Sequence, residues 1–244
     1  MNLAIDIGNT RTKIGLFRAN RLVHTQIWDR ITVDKLKSIA TNHALQNCIF
    51  SSTAHLHIDI PEVLQELSRT ISLEASTPVP IDNQYATPHT LGKDRLAAVV
   101  GAHAFYPHNN CLIIDAGTCI TYEFLTASGV YLGGNIAPGL RMRARAMHEF
   151  TAKLPLVSID EPTDSPIGNS THAALHNGVV WGAQLEIMGT IDYCTQHLGT
   201  TRVILTGGDA TLLHRQLSHP TVVHPHLVLH GLNKILNYNV EIAQ

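Results

Sequence analysis

The 244-residue chain is 44% apolar and 15% charged, which gives it material for a full core and sets it apart from disordered chains. Its length suits one large domain or two of about 100–150 residues each. A formal net charge of −2 supplies no global basic field to recruit nucleic acid, and no apolar run reaches the ~18–20 residues of a membrane span.

In chain order, alternating and β-branched residues over 2–28 predict three consecutive strands, with turns near residues 8–11 and 19–21. Residues 32–46 read as a helix with Thr32 as its N-cap, and 48–52 as a short strand. Pro61, preceded by Asp59, starts a second helix running to about residue 70. The proline-bearing stretch 76–90 reads as an irregular loop, and 92–105 as a helix apolar enough to be buried. The second half repeats this order: strands near 111–115, 119–125 and 130–136, and a helix after Pro138-Gly139. A long helical stretch follows over 170–197, then a strand at 202–205, a helix, and a C-terminal helix over 227–238. Antiparallel strands followed by alternating helix and strand, written twice, imply mixed sheets flanked by helices.

One phrase carries the duplication. Leu3-Ala4-Ile5-Asp6-Ile7-Gly8-Asn9-Thr10 opens the chain, and Leu112-Ile113-Ile114-Asp115-Ala116-Gly117-Thr118 repeats it. Each copy is an apolar strand that ends in Asp-x-Gly and hydroxyl or amide side chains. In the first, Gly8 lets backbone approach a ligand, Asn9 and Thr10 can donate to phosphate oxygens, and Lys13 adds a point charge. Asp6 can hold Mg²⁺ through water, because hard cations prefer oxygen. An ordinary hairpin turn accounts for the same residues taken alone. Asp115-x-Gly117-Thr118 and the later Thr206-Gly207-Gly208, placed between a strand and a helix, raise the case for a nucleotide.

Other signals are weaker. The four cysteines, Cys48, Cys111, Cys119 and Cys194, form no C-x-x-C pair and fit reduced thiols in a cytosol. Asp6 interrupts the apolar N-terminus, which therefore does not read as a signal peptide. His55-x-His57, His224-x-His226 and the pair His172 and His176 lack the Cys or carboxylate partners of a structural metal site. Arg141, Arg143 and Arg145 alternate around a helix and read as solvated surface or a subunit contact.

Taken together, the two Asp-x-Gly turns and the late Gly-Gly resemble the actin/hexokinase/Hsp70 superfamily of ATP-handling folds. Within it, Tyr85-x-x-Pro88-x-x-x-Gly92-x-Asp94-Arg95 looks like the pantothenate-site motif of type III pantothenate kinases. Gly133-Gly134-Asn135-Ile136-x-Pro138-Gly139 and Asn169-Ser170-Thr171 fall in that family's order, so the resemblance spans nearly the whole chain. Thr87 and Asn135 depart from its pattern, standing where Asn and a small residue are expected.

The resemblance implies an α/β fold of duplicated actin-like (ribonuclease H-like) domains, 1–107 and 108–244, with an ATP cleft between them. It implies ATP-dependent phosphorylation of pantothenate, the first step toward coenzyme A, in a cytoplasmic homodimer with no nucleic-acid or membrane partner. Asp6, Gly8, Asn9, Thr10 and Lys13 would bind ATP with Mg²⁺, and Thr118, Gly207 and Gly208 would also touch the nucleotide. Asp115 would hold a monovalent cation, K⁺ or NH₄⁺. Tyr85, Gly92, Lys93, Asp94, Arg95 and Thr171 would line the pantothenate site, with Asp94 as the general base. At a helix start, Asp94-Arg95 also reads as a cap and a surface ion pair. Two rival readings are a transcriptional accessory factor that keeps the nucleotide fold, and a sugar or acetate kinase of the same superfamily. The first finds no DNA-reading module in the sequence, and the Tyr85–Arg95 segment argues against the second.

Overall fold

The opening phrase folds as a buried strand and a tight turn. Strand β1 (Asn2–Ile7) is buried along its whole length. It pairs antiparallel with β2 (Thr12–Arg18), which turns over Ala19 and Asn20 into β3 (Arg21–Trp28). The computed structural model describes residues 1–54, 57, 59–160 and 165–243. The chain divides into two units, one of Met1–Pro107, Gly129–Tyr131 and His226–Gln244, the other of His108–Ser128 and Leu132–Pro225.

In the first unit, α1 (Val33–Asn42) leads to β4 (Asn47–Ser52), which pairs parallel with β1, and α2 (Asp59–Leu67) leads to β5 (Arg69–Ser72). The sheet order is β3-β2-β1-β4-β5. Period-2 alternation gives β1 two faces. Leu3, Ile5 and Ile7 pack with Leu36 and Ile39 of α1 and Ile60, Val63 and Leu64 of α2. Asn2 and Asp6 share the opposite face, where Asn2 donates to Asn233 Oδ1 of α7 (Leu227–Glu241) at 3.1 Å. Asn233 in turn donates to the Ala19 carbonyl at 3.0 Å, so its buried amide is satisfied.

Helix α3 (Lys93–Phe105) is buried from Arg95 through Ala102 and packs against α7. Gly231 and Gly101 make that crossing close: a Cβ on Gly231 would collide with the Ala97 carbonyl. This contact gathers the C-terminal helix with the first unit. Between β5 and α3 lie the two-residue β6 (Asp82–Asn83) and a 3-10 turn at Pro88–Thr90.

The second unit holds β7 (Asn110–Ala116), β8 (Cys119–Leu125) and, from Leu132 on, β9 (Val130–Pro138), followed by α4 (Leu140–Glu149) and α5 (Thr171–Leu198). The chain continues through β10 (Thr201–Thr206), α6 (Ala210–His214) and β11 (Thr221–Val223). The sheet order is β11-β10-β7-β8-β9, and β6 joins Val130 and Tyr131 at the start of β9. Leu112, Ile114 and Ala116 face a core that includes Leu140 and Ala144 of α4 and Val179, Ala183 and Ile187 of α5. The architecture is α/β, with mixed sheets flanked by helices.

Some details differ from the sequence reading. The first helix ends at Asn42, because the following residues are drawn to the sheet: Met1 N donates to the Ala44 carbonyl at 2.7 Å, and Gln46 N to the Met1 carbonyl at 2.8 Å. The second helix stops at Leu67, since Arg69–Ser72 pairs with β4 instead. β6 and β11 are further short strands that local pattern did not reveal. No helix among the described residues is long and apolar enough to cross a membrane.

Candidate active site

The Asp6 turn closes through Gly8 N donating to the Arg11 carbonyl at 3.0 Å, which leaves Asn9, Thr10 and Arg11 exposed. Asp6 is only 8% exposed and accepts a hydrogen bond from Ser51 Oγ at 3.2 Å. Ser51 is its register partner on β4, and Lys13 stands opposite it on β2. The turn therefore offers one anchored carboxylate, two cations (Lys13 and the exposed Arg11) and a rim of exposed polar groups. Among the described residues, no group of three or more His, Cys, Asp or Glu is placed to hold a metal ion. A lone carboxylate fits a Mg²⁺ that takes most of its oxygens from phosphate and water. Of the histidine pairs, His55 lies outside the described residues, and His57 pairs with Asp59 at 3.1 Å on the surface. Lys13 also reaches His226 at the start of α7: burial first, and Lys13 second, hold that imidazole below its ordinary range.

A second group gathers at the start of α3. Gly92 is the N-cap, and a Cβ there would lie 2.7 Å from Asp94 Oδ1, so the glycine leaves room for the carboxylate. Asp94 accepts from the Arg95 amide at 2.9 Å, in the first turn, where the helix dipole favours an anion. Arg95 is 5% exposed, contrary to the surface ion pair considered from the sequence. Its guanidinium lies over the Tyr85 ring, 5.5 Å from the centroid. Tyr85 in turn stacks on Tyr131, with centroids 6.2 Å apart and planes 6° apart. The fully buried Tyr131 accepts a long hydrogen bond from Arg95 Nη2 at 3.5 Å, and its carbonyl accepts from Gln84 N at 3.0 Å. It thereby joins the Tyr85 segment to α3.

Lys93 pairs with Glu74 at 2.8 Å, and Ser72 Oγ donates to the same carboxylate at 2.7 Å. The Lys93 hydrogen bond is the main cause holding Glu74 below the usual carboxylate range. Beside this pair a cavity of about 270 Å³ is lined by Asn83, Pro88, His89 and Leu91 among others. Thr87 accepts from Thr90 Oγ1 at 2.8 Å, which ties it into the 3-10 turn.

In the second unit, Asp115 lies at the end of β7, in register with Thr206 of β10. Gly207 has φ +93°, and a Cβ on it would collide with Asp115 Oδ1 and the Ala116 carbonyl, so only glycine fits this approach. Asp209 N donates to the Ala116 carbonyl at 2.9 Å. Gly139 N donates to the Thr118 carbonyl at 3.2 Å, which docks the Pro138-Gly139 turn onto the repeat. The structure thus brings Asp115, Gly117, Thr118, Gly207 and Gly208 to one end of the sheet. Thr171 is the exposed first residue of α5, and Ser170 caps that helix by accepting from Ala173 N at 3.2 Å.

The arginine cluster is tied to acids of its own unit and is not simply a solvated face. Arg141 bridges Asp209 and Asp160, Arg143 pairs with Glu186 at 2.6 Å, and Arg145 pairs with Glu149 one helical turn on. Sequence reasoning also passed over Tyr131, Glu74, Ser51 and Asp209. Of these, only Asp209 had a local signal, its place directly after Gly207-Gly208.

Comparison with known proteins agrees with this geometry. Among solved structures, the fold is similar to that of a ROK hexokinase from Thermus thermophilus, with TM-score 0.55 and 14% identity over 98% of this chain and 99% of that one. A conserved protein assigned to the Baf family of transcriptional activators, from Campylobacter jejuni, gives TM-score 0.66 at 22% identity over 98% and 99% of the two chains. At those identities both show the fold alone. A type III pantothenate kinase from Christiangramia forsetii is 40% identical over 98% of this chain and 99% of its own length. Residues 2–193 match the family model for type III pantothenate kinase. The repeated turns, the α3 start and these matches agree, and the chain belongs to the type III pantothenate kinase family.

Proposed function

We propose that this protein transfers the γ-phosphate of ATP to pantothenate, giving 4′-phosphopantothenate and ADP, the first step of coenzyme A biosynthesis. The observation that carries the reading is the α3 start: a half-buried Asp94 next to a buried Arg95, itself held under Tyr85, in a chain that matches this family over nearly its whole length. Asp94 accepts the proton of the pantothenate hydroxyl as its oxygen bonds to the γ-phosphorus and the bond to the bridging oxygen of ADP breaks. A general base of this kind contributes about 10²–10⁴-fold. Arg95 neutralises substrate or developing phosphoryl charge, and Tyr85, Gly92, Lys93 and Thr171 complete the pantothenate site.

Asp6, Gly8, Asn9, Thr10 and Lys13 take the ATP phosphates. A Mg²⁺ bound with ATP neutralises phosphate charge, and Asp6 would hold it through water. Thr118, Gly207 and Gly208 contact the nucleotide, and Asp115 would hold K⁺ or NH₄⁺. The reading includes a cytoplasmic homodimer with pantothenate near the subunit interface, and two duplicated domains, 1–107 and 108–244, whose last helix packs back on α3. What supports the duplication is the repeated Asp-x-Gly phrase. The activator-family neighbour shares only the fold and gives no support to a regulatory role.

The test is coupled ADP release with pantothenate as acceptor, in KCl and in NaCl. Pantothenate-dependent turnover that needs K⁺ is expected, and Asp94→Ala should lose it while still binding ATP. ADP release indifferent to pantothenate contradicts the activity, and normal turnover of Asp94→Ala contradicts the base.

A further inference from the structure

The arginine-rich segment has no part in the chemistry above, yet its first member is fastened to the Gly-Gly turn. Arg141 is the second residue of α4. Its Nη1 donates to Asp209 Oδ1 and its Nη2 to Asp160 Oδ1, both at 2.7 Å. The two acids are unlike: Asp160 is exposed, whereas Asp209 is 6% exposed. Asp209 directly follows Gly207-Gly208, and its amide donates to the Ala116 carbonyl at 2.9 Å. The residue that Arg141 neutralises is therefore the one that fixes the glycine turn to β7.

The same helix start reaches the other turn of this unit. The amide of Gly139, the N-cap of α4, donates to the Thr118 carbonyl at 3.2 Å. One turn of helix thus touches both the Asp115–Thr118 repeat and the Gly207–Asp209 segment. A buried carboxylate stripped of its cation is left without compensation for its burial and is drawn toward water, which pulls on the backbone that carries it. The exposed half of the bridge, to Asp160, contributes little by comparison.

We infer that Arg141 is a positioning residue for the nucleotide, holding the Gly207-Gly208 backbone against β7 through Asp209. This rests on the reading that the glycine turn receives ATP. Gly208 lets the two be separated: a Cβ there would point into open space, with nothing within 4 Å outside its chain neighbours, where a side chain would stand in the way of an arriving ligand.

The test measures KM for ATP and for pantothenate separately, together with direct ATP binding. Arg141→Met should raise the KM for ATP by roughly 10–10²-fold, since a misplacement of about 1 Å can cost as much as 10²-fold, with the pantothenate KM within about twofold of the parent. Arg141→Lys should recover part of the loss, because a point charge still reaches Asp209, and Asp160→Asn should behave as the parent protein. If Arg141→Met does not fold, Arg141→Lys carries the test, with a smaller rise confined to ATP. An unchanged KM for ATP, or equal rises for both substrates, overturns the positioning role when Gly208→Val has lost ATP binding. Unimpaired ATP binding by Gly208→Val overturns the nucleotide reading of the turn, and the inference with it.

Discussion

The two copies of the Asp-x-Gly phrase share a strand and a turn but not their surroundings. Asp6 is buried against Ser51, faces Lys13 across the ladder, and leads into three exposed residues. Asp115 has Thr121 opposite it and is walled by the backbone of Gly207, with Gly139 docked on the turn just beyond. The first is an open turn that carries two cations; the second is a crowded one, lined by backbone. A carboxylate's role is set by what neighbouring strands and turns bring to it, and duplication leaves those neighbours free to diverge. The open turn with its lysine is the one proposed above to take phosphate and Mg²⁺. The second carboxylate, with Thr121 across the ladder and glycine backbone against it, is the one proposed above to hold a monovalent ion.

The largest expected effect separates the copies by their cation response. Asp6→Asn should lower kcat/KM for ATP by about 10²–10³-fold, the usual cost of one preorganised charge at a reacting phosphate, to the same extent in K⁺ and in Na⁺. Asp115→Asn should lose the difference between K⁺ and Na⁺ and leave the two rates alike. Matched rates in KCl and NaCl decide the matter, and variants with the same cation profile would remove the distinction drawn between the turns.

Crowding gives the next contrast, read in stability. Gly207→Ala forces a side chain onto φ +93° and into the Asp115 carboxylate, so a loss of about 2–4 kcal/mol is expected. A Cβ on Gly8 would lie 3.2 Å from the Arg11 carbonyl, in a loop with room to yield, and Gly8→Ala should cost about 1 kcal/mol or less. Urea unfolding midpoints of the two variants measure the difference. Equal losses would mean that both turns are equally confined.

What the sequence made legible was local. The repeated phrase, the Thr32 cap and the apolar face of α3 each rest on residues within a turn or two of one another, and each forms as read. The expected end of the first helix failed because residues 43–46 gain more by pairing with Met1 than by continuing it. β5, β6 and β11 are four, two and three residues long, too short for a period to register, and exist only through strands distant in sequence. Ser170 and Thr171 are both able caps; the extended backbone of Ser170 (φ −143°, ψ 161°) decides between them. At the site, Tyr85 and Arg95 were visible in a motif, whereas Tyr131 joins them from a strand 36 residues beyond Arg95 and carries no local mark. Arg141 was visible as charge, but its meaning depends on Asp209, 68 residues away.

The smallest expected effect tests the lysine that only the first copy has. His226 is held below its ordinary range by burial and, secondarily, by the charge of Lys13. A depressed histidine stays neutral in the folded chain while the unfolded chain takes up a proton. Its contribution to stability is therefore full above the unfolded value of about 6.5 and falls away as pH drops from there toward the lower folded value. Lys13→Met removes the secondary cause and leaves burial, so the His226 titration should move upward but remain below the ordinary value. The pH window over which stability declines should narrow accordingly. Histidine ring-proton shifts followed by NMR give the titration, and melting temperatures across pH 5–8 give the linked stability. The same substitution should weaken ATP binding by less than Asp6→Asn does, because a mobile ammonium screens phosphate charge without fixing its geometry. A His226 titration unmoved by Lys13→Met would show that Lys13 points its charge elsewhere, and Lys13 would then not be what sets the open turn apart from the Asp115 copy.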